Sequence, residues 1–177
     1  PGHNVEVWLQ PSFQTLLGNA LRWCASAKRS VFITGADRGL GFGLAVGLLE
    51  QGWRVFAGQY MPTWPELSVL ARLHPGDLHI IPLDVTSMES VRAAAQAVAA
   101  QVPYLDMLIN NAGVTSATNA RTIREAQDYA EMHRLFDVNA LGPLRVVEAF
   151  LPLLDRGAFK RLCFVSSEAG SITRSYR

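Results

Sequence analysis

From Ser30 onward, short apolar runs alternate with longer amphipathic runs, and this alternation constrains the fold more than any other feature. The short runs predict strands at Ser30–Thr34, Arg54–Gly58, Leu78–Leu83, Leu105–Ile109 and Arg161–Val165. The longer runs predict helices at Leu40–Gln51, at Leu67–Leu73, after an N-cap at Ser87, and over much of Ile123–Leu154. A βαβαβαβαβ order predicts an α/β fold, with a doubly wound, mostly parallel sheet that carries helices on both faces.

Residues 1–29 differ from this pattern and are interpreted as an N-terminal leader, with the main domain over residues 30–177. Apolar residues at helical spacing predict one amphipathic helix, comprising Leu16, Leu17, Ala20, Leu21 and Cys24. Such a helix can bind a partner or a membrane surface, or it can pack on the domain. Its polar face is not enriched in Lys or Arg, so we expect packing on the domain.

Composition and charge exclude several classes of protein. The 177 residues are 49% hydrophobic and 18% charged, with a formal net charge of +1, which is typical of a globular domain. There is no long basic run, so nothing indicates nucleic-acid binding. No apolar stretch is long enough to predict a membrane-spanning helix, and the N-terminal residues do not resemble a secretory signal.

The two cysteines, Cys24 and Cys163, are too few for a disulfide framework. Reduced, buried thiols in a cytoplasmic protein are therefore expected.

The turn between the first strand and the first helix, Thr34-Gly35-Ala36-Asp37-Arg38-Gly39-Leu40-Gly41, predicts a phosphate site. Gly35 can adopt backbone angles that other residues avoid. Glycines at 39 and 41 leave room for a pyrophosphate to approach the backbone and for the helix to pack close to the strand. The helix N-terminus offers free N–H groups and a partial positive charge to an anion.

Four further motifs follow in order, and together with this turn they resemble the short-chain dehydrogenase/reductase family. They are Leu83-Asp84-Val85-Thr86, Asn110-Asn111-Ala112-Gly113, Asp137-Val138-Asn139-Ala140-Leu141-Gly142, and Ser167-Glu168-Ala169-Gly170. The resemblance covers about residues 30 to 171. Within the family, the chain looks most like the branch of sniffer-type and C-factor-like carbonyl reductases.

The resemblance implies a Rossmann-like, NAD(P)-binding domain that is incomplete at its C-terminus. It implies hydride transfer between a nicotinamide and a small carbonyl or alcohol substrate, with a possible homo-oligomer and no metal. The implied cofactor-binding residues are Gly35, Asp37, Arg38, Gly39, Leu40, Gly41, Asp84, Val85, Asn111, Ala112 and Gly113. The implied catalytic residues are Ser167 and Asn139.

Several of these residues also have a purely structural interpretation. Asp84 can accept a hydrogen bond from an adenine amino group or cap the following helix. Asn110 and Asn111 follow a buried strand, where an amide without hydrogen bonds is costly; one is expected to tie strands together while the other lines the cleft. The alternative for this pair is an Asn-rich turn.

Asn139 lies four residues before Pro143, which has no N–H to donate to the Asn139 carbonyl. We expect a kink there, with this carbonyl free to hold a water, as the family's proton relay requires. A simple packing kink is the alternative. Ser167, at the carboxyl end of the fifth strand, is placed to hydrogen-bond a substrate carbonyl and stabilise the developing alkoxide, whereas Ser166 is expected to be structural.

The cofactor is expected to be NADP(H) rather than NAD(H). An acid about twenty residues after the glycines usually binds the ribose 2′-hydroxyl of NAD. The second strand ends here in Gly58-Gln59-Tyr60, with no acid. Arg38 lies in the glycine turn, where the family often places a basic residue against a 2′-phosphate, and arginine–phosphate pairing is charge-assisted.

The family's acid/base pair, Tyr-x-x-x-Lys, does not occur in these 177 residues. Tyr176 comes too soon after Ser167 and is not assigned as catalytic. Two hypotheses stay open: the N-terminal part of an NADP(H)-dependent carbonyl reductase or alcohol dehydrogenase, and a non-catalytic nucleotide-binding or interaction module. For either one, we expect no appreciable turnover by the 177-residue chain.

Overall fold

A computed structural model describes residues 10–24, 28–116, 122 and 124–170 and confirms the alternating order of strands and helices. The strands are β1 Ser30–Ile33, β2 Arg54–Gln59, β3 Leu78–Pro82, β4 Met107–Asn110 and β5 Arg161–Phe164. The α-helices are α1 Pro11–Cys24, α2 Gly39–Glu50, α3 Glu66–Leu73, α4 Met88–Ala99, α5 Tyr129–Phe136 and α6 Gly142–Arg156. A π-helical turn spans Asp137–Leu141 and a short 3₁₀ helix spans Glu168–Gly170.

The five strands form one parallel sheet in the order β3-β2-β1-β4-β5. The chain therefore moves outward from β1 through β2 to β3, then returns to place β4 on the other side of β1. This reversal leaves a crevice between β1 and β4 at the carboxyl edge of the sheet, where open α/β sheets bind ligands.

Around β1, β2 and β4, each face of the sheet is buried under helices, as the doubly wound prediction requires. On one face, Phe32 and Leu108 pack with Val91 of α4 and with Val146 and Phe150 of α6. The Phe32 and Phe150 rings are 4.3 Å apart between centroids. Burial of this kind is the main favourable contribution to the folded state.

The other face is covered by α2 and α3. Ile33 and Val55 of the sheet pack there with Ala45 and Leu49 of α2 and with Leu67 of α3. Because both faces are buried, the strands read as continuous apolar runs in the sequence rather than as alternating ones.

Two boundaries differ from the sequence prediction, each for a local reason. Strand β4 was expected to begin at Leu105, but the Leu105 N–H donates to the carbonyl of Leu153 in α6 at 3.1 Å, so the strand begins at Met107. The helical segment expected from Ile123 begins at Tyr129, because the Asp128 carboxylate accepts from the Glu131 N–H at 3.0 Å and caps it.

The expected kink at Pro143 takes the form of a π-helical turn that ends just before it. The Gly142 N–H donates to the Asp137 carbonyl, five residues back. Pro143 then occupies the first turn of α6, where its missing N–H is tolerated. Arg145 fixes this turn beside the sheet, since its guanidinium donates to the Asp137 carboxylate at 2.6 Å and to the Val85 carbonyl at 3.3 Å.

The leader forms the predicted helix, and its packing on the domain stays a prediction. Leu16 and Leu17 of α1 are 65% and 39% exposed. Cys163 is a free thiol and is half-buried rather than buried. Within the described ranges, no helix combines the length and apolar character needed to cross a membrane.

Strand β5 lies at one side of the described sheet and is poorly covered. Leu162, Phe164 and the following Val165 are between 41% and 56% exposed. By contrast, each residue of β1 and β4 is buried. The sheet is thus well packed around β1 and β4, where the crevice lies, and open at β5.

Candidate nucleotide-binding site

The described residues form a cleft of about 440 Å³ at the crevice between β1 and β4. Its walls come from the turn after β1, the segments after β2 and β3, the segment after β4, and α5 with the π-helical turn. Each of the eleven predicted cofactor-binding residues lines it: Gly35, Asp37, Arg38, Gly39, Leu40, Gly41, Asp84, Val85, Asn111, Ala112 and Gly113.

The glycine turn is held close to the segment after β4. Gly35 has φ +63°, a left-handed conformation that favours glycine, and an added Cβ would lie 2.9 Å from the Ala112 Cα. At Gly41, an added Cβ would overlap both the Gly35 carbonyl oxygen and the Asn111 Nδ2. Glycine is therefore required at both positions for the turn to close against β4.

The N-terminus of α2 faces this turn without a side-chain cap. Arg38 occupies the N-cap position and accepts no bond with its side chain, and the first turn carries no acid. Helix α4, by comparison, is capped by the Ser87 hydroxyl, which accepts from the Ser90 N–H at 3.2 Å and confirms the sequence prediction. The uncapped α2 N-terminus leaves N–H groups and a partial positive charge for an anion.

Hydrogen bonds between Thr34 and Asn111 tie the ends of β1 and β4 together. The Thr34 hydroxyl accepts from the backbone N–H groups of Asn111 and Ala112, each at 2.9 Å. In return, Asn111 Nδ2 donates to the carbonyls of Thr34 and Gly35, each at 3.0 Å. The floor of the cleft is thereby fixed without any ligand.

The two expected roles, tying the strands together and lining the cleft, are not shared between Asn110 and Asn111. Asn111 both ties the strands and lines the cleft. Asn110 is 4% exposed, and its side-chain nitrogen and oxygen have no hydrogen-bond partner among the described residues. An Asn-rich surface turn does not describe either of them.

Asp84 lies at the carboxyl end of β3 and does not cap α4. Its Oδ1 accepts from the Thr86 N–H at 2.9 Å and from the Thr86 hydroxyl at 2.7 Å. Since Ser87 is the cap, the capping interpretation of Asp84 is wrong. The carboxylate is instead oriented beside the cleft, next to the buried Val85.

Asp37 and Arg38 connect the glycine turn to the segment after β2. The buried Asp37 carboxylate accepts from the Met61 N–H at 3.0 Å. The exposed Arg38 guanidinium lies 5.6 Å from the centre of the Trp64 ring, and its Nη1 contacts the Met61 Sδ at 3.3 Å. The Asp37 carboxylate is thus hydrogen-bonded within the protein, whereas Arg38 places a positive charge at the rim of the cleft.

Arg134 of α5 is a second cation at the cleft, but it is already paired. Its Nε and Nη2 donate to the two carboxylate oxygens of Glu131 at 2.7 and 2.8 Å. This pair lowers the pKa of Glu131 below the usual range of a glutamate and raises the pKa of Arg134. Arg38, in contrast, has no acidic partner within 4.0 Å in the described part of the chain.

The two predicted catalytic residues, Asn139 and Ser167, do not line the cleft. The Asn139 side chain holds the backbone of Val114, accepting from its N–H and donating to its carbonyl at 2.9 Å each. Ser167 is exposed after β5, and its carbonyl accepts from the Gly170 N–H at 3.0 Å. Tyr176 lies outside the described residues.

The sequence matches the short chain dehydrogenase family over residues 29–176. The chain belongs to this family. The match begins just before β1 and includes the glycine turn, the segments after β3 and β4, and the π-helical turn, so the recognised region contains the whole described cleft.

Three similar members of the family carry the comparison further. An uncharacterized oxidoreductase of Schizosaccharomyces pombe is 35% identical over 150 residues, which are 84% of this chain and 58% of that protein. The NADPH-bound carbonyl reductase from chicken fatty liver is 36% identical with a TM-score of 0.75, over 84% of this chain and 61% of that one. A protein assigned as the carbonyl reductase Sniffer of Caenorhabditis elegans is 27% identical with a TM-score of 0.67, over 83% and 65%.

These comparisons confirm the family and the likeness to carbonyl reductases of the sniffer type. They also show that the chain spans about 58% of the length of the first of these relatives. In each of the three comparisons, the shared region comprises most of this chain.

Some residues that line the cleft of this short-chain dehydrogenase were not among the predicted cofactor-binding residues: Tyr60, Met61, Leu83, Thr86, Val114, Arg134 and Val138. Tyr60 directly follows the end of β2, so its position at the carboxyl edge was a usable signal. Arg134 lies one helical turn before Val138, in a helix with no buried residue among those described, and no sequence signal indicated that it reaches the cleft.

Proposed function

We propose that this short-chain dehydrogenase is the cofactor-binding part of an NADP(H)-dependent oxidoreductase that acts on a small carbonyl or alcohol. The observation that carries the cofactor preference is Arg38, a cation at the cleft rim with no acidic partner among the described residues. The NADPH-bound carbonyl reductase from chicken fatty liver, a similar structure, supports the same class of cofactor and reaction.

The chain's residues fit a dinucleotide. The pyrophosphate would be held by the glycine turn, where a Cβ at Gly41 would fill the space, and by the uncapped N-terminus of α2. Asp84 and Val85 would hold the adenine, and Asn111 to Gly113 would line the path along the cleft. When bound, the cofactor supplies or accepts the hydride.

The 2′-phosphate would be recognised by Arg38. After β2 the chain has no acid that would repel a phosphate until Glu66. Arg134 is neutralised by Glu131, so Arg38 is the cleft cation whose charge is uncompensated in the described residues. An arginine can pair with a phosphate through parallel, charge-assisted hydrogen bonds.

For the reaction itself, Ser167 would hydrogen-bond the substrate oxygen and stabilise the alkoxide that develops on it. Asn139 would act through the π-helical turn, since Pro143 has no N–H to donate to the Asn139 carbonyl. That carbonyl would hold a water of the proton relay. The family's Tyr-x-x-x-Lys, which would complete the acid/base chemistry, does not occur in the 177 residues.

Replacing Arg38 tests the cofactor preference. We expect Arg38→Ala to weaken NADPH binding by about ten- to a hundredfold, the range for a lost charge-assisted hydrogen bond, while NADH binding changes by no more than about twofold. Dissociation constants are measured for both nucleotides by calorimetry or by nicotinamide fluorescence.

Arg72→Ala is the matched control for the change in net charge, because Arg72 is exposed at the end of α3 and does not line the cleft. It should leave both dissociation constants unchanged. Tighter binding of NADH than of NADPH by the unmodified chain would overturn the preference.

A second experiment separates binding from turnover. We expect the purified 177-residue chain to bind NADPH without oxidising it in the presence of carbonyl substrates, because the acid/base pair is missing. Absorbance at the reduced nicotinamide band reports the rate. Steady oxidation that Ser167→Ala abolishes would contradict this expectation.

A further inference from the structure

We propose that Trp64 is a positioning residue for 2′-phosphate recognition, because it holds the Arg38 guanidinium at the rim of the cleft. This inference rests on the proposed function and deepens it. Trp64 lies in the segment between β2 and α3, outside the cleft lining, and none of the motifs in the sequence contains it.

The first step is the position of the ring. The Arg38 guanidinium carbon lies 5.6 Å from the centre of the Trp64 ring, within the range of a cation–π interaction. Arg38 lines the cleft and Trp64 does not. The ring therefore supports the guanidinium without taking up space that a ligand would use.

The second step is the rigidity of the segment that carries the ring. The Trp64 N–H donates to the Met61 carbonyl at 3.5 Å, which closes a turn with Pro62 at its second position. The Met61 N–H in turn donates to the buried Asp37 carboxylate. Asp37 precedes Arg38 in the chain, so both partners of the cation–π contact are anchored to the same residue.

The third step is what the contact leaves free. Nη1 of Arg38 is directed at the Met61 Sδ, a weak acceptor, at 3.3 Å. Its other N–H groups have no hydrogen bond to the described residues. A long side chain that is already held in one place loses less conformational entropy when it binds an anion. Trp64 and Met61 thus prepare Arg38 for the phosphate.

The test compares two ligands that differ only in the 2′-phosphate, 2′,5′-ADP and 5′-AMP, on the full 177-residue chain. We expect Trp64→Leu to weaken 2′,5′-ADP binding by about fivefold, the effect of losing a partly exposed cation–π contact. Binding of 5′-AMP should change by less than about twofold, since Trp64 does not line the cleft.

Two further variants separate positioning from simple packing. Trp64→Phe keeps an aromatic face and should retain most of the selectivity. In an Arg38→Ala background, Trp64→Leu should have no further effect on the ratio of the two dissociation constants. Should Trp64→Leu fail to fold, Trp64→Met takes its place in both comparisons, because a flexible methionine fills space near the ring's position but has no aromatic face.

Several outcomes would overturn the inference. Equal losses for both ligands in Trp64→Leu would mean that the ring only stabilises the fold, and an undiminished effect in the Arg38→Ala background would mean that it does not act through Arg38. If the unmodified chain binds neither ligand, or if Arg38→Ala leaves the selectivity intact, the proposed function fails, and the role of Trp64 falls with it.

Discussion

Gly41→Ala is expected to abolish nucleotide binding and to destabilise the domain. The new Cβ would overlap the Gly35 carbonyl oxygen and the Asn111 Nδ2, which are joined by a 3.0 Å hydrogen bond. Both groups belong to the floor of the cleft, so neither can move without opening the turn. We expect a loss of affinity for NADPH of at least about a hundredfold, together with about 2–3 kcal/mol of stability, the upper range for overpacking.

Gly43→Ala is the matched control in the same helix. Gly43 is exposed, and an added Cβ would meet nothing within 4 Å. This substitution should leave NADPH affinity unchanged and raise stability by about 0.5–1 kcal/mol, since alanine favours the helix over glycine. Titration with NADPH and thermal unfolding give both quantities. An alanine at 41 that binds like the unmodified chain would disprove the close packing of the glycine turn.

Thr34→Val is expected to have the largest effect on stability among the substitutions considered. Thr34 is 1% exposed, and its hydroxyl accepts from the backbone N–H groups of Asn111 and Ala112. Valine has nearly the same shape but no acceptor, so both N–H groups would be left unpaired at the base of the cleft. At about 1–3 kcal/mol for each of the two unsatisfied groups, we expect a loss of about 2–6 kcal/mol in the free energy of unfolding.

Thr34→Ser distinguishes the hydroxyl from the methyl group. Serine keeps the acceptor and loses only a buried methyl, so its cost should stay near about 1 kcal/mol. NADPH affinity should fall in the valine variant and not in the serine variant, because Asn111 and Ala112 line the cleft. Denaturant titrations of the three proteins provide the comparison. Equal stability of the serine and valine variants would show that the hydroxyl does not hold this segment.

The strands and helices were predictable from sequence because short apolar runs alternate with longer amphipathic runs, and the two differ in length and in the residues that bound them. What the sequence did not determine were boundaries set by distant partners. Strand β4 begins after Leu105 because that residue's N–H is bonded to α6, which lies much later in the chain. The start of α5 was within reach, since Asp128 and Glu131 have the spacing of a helix cap.

The cleft was predictable wherever a residue follows directly from a strand end. The glycine turn, Asp84 and Asn111 all follow this rule, and the family resemblance located them. Arg134 and Trp64 did not follow it. Arg134 reaches the cleft from α5, which continues directly into the π-helical turn. Trp64 approaches Arg38 from the turn after β2, which is anchored to Asp37.

The segment around Asn139 shows a different limit. Pro143 correctly indicated a break in the helix, but the sequence could not reveal how the backbone would absorb it. The structure uses a π-helical turn, which moves the irregularity ahead of the proline and lets α6 begin at Gly142. The expectation for Asn139 concerned its backbone carbonyl and stays a prediction, whereas its side chain holds the backbone of Val114.

The poorly covered strand β5 has a practical consequence for handling this protein. Exposed apolar side chains on a strand at the side of a sheet favour association between chains. Phe164 is the most exposed of these apolar residues, at 56%. Nucleotide titrations therefore belong at low protein concentration, and Phe164→Lys would place a charge on this strand at a residue that does not line the cleft.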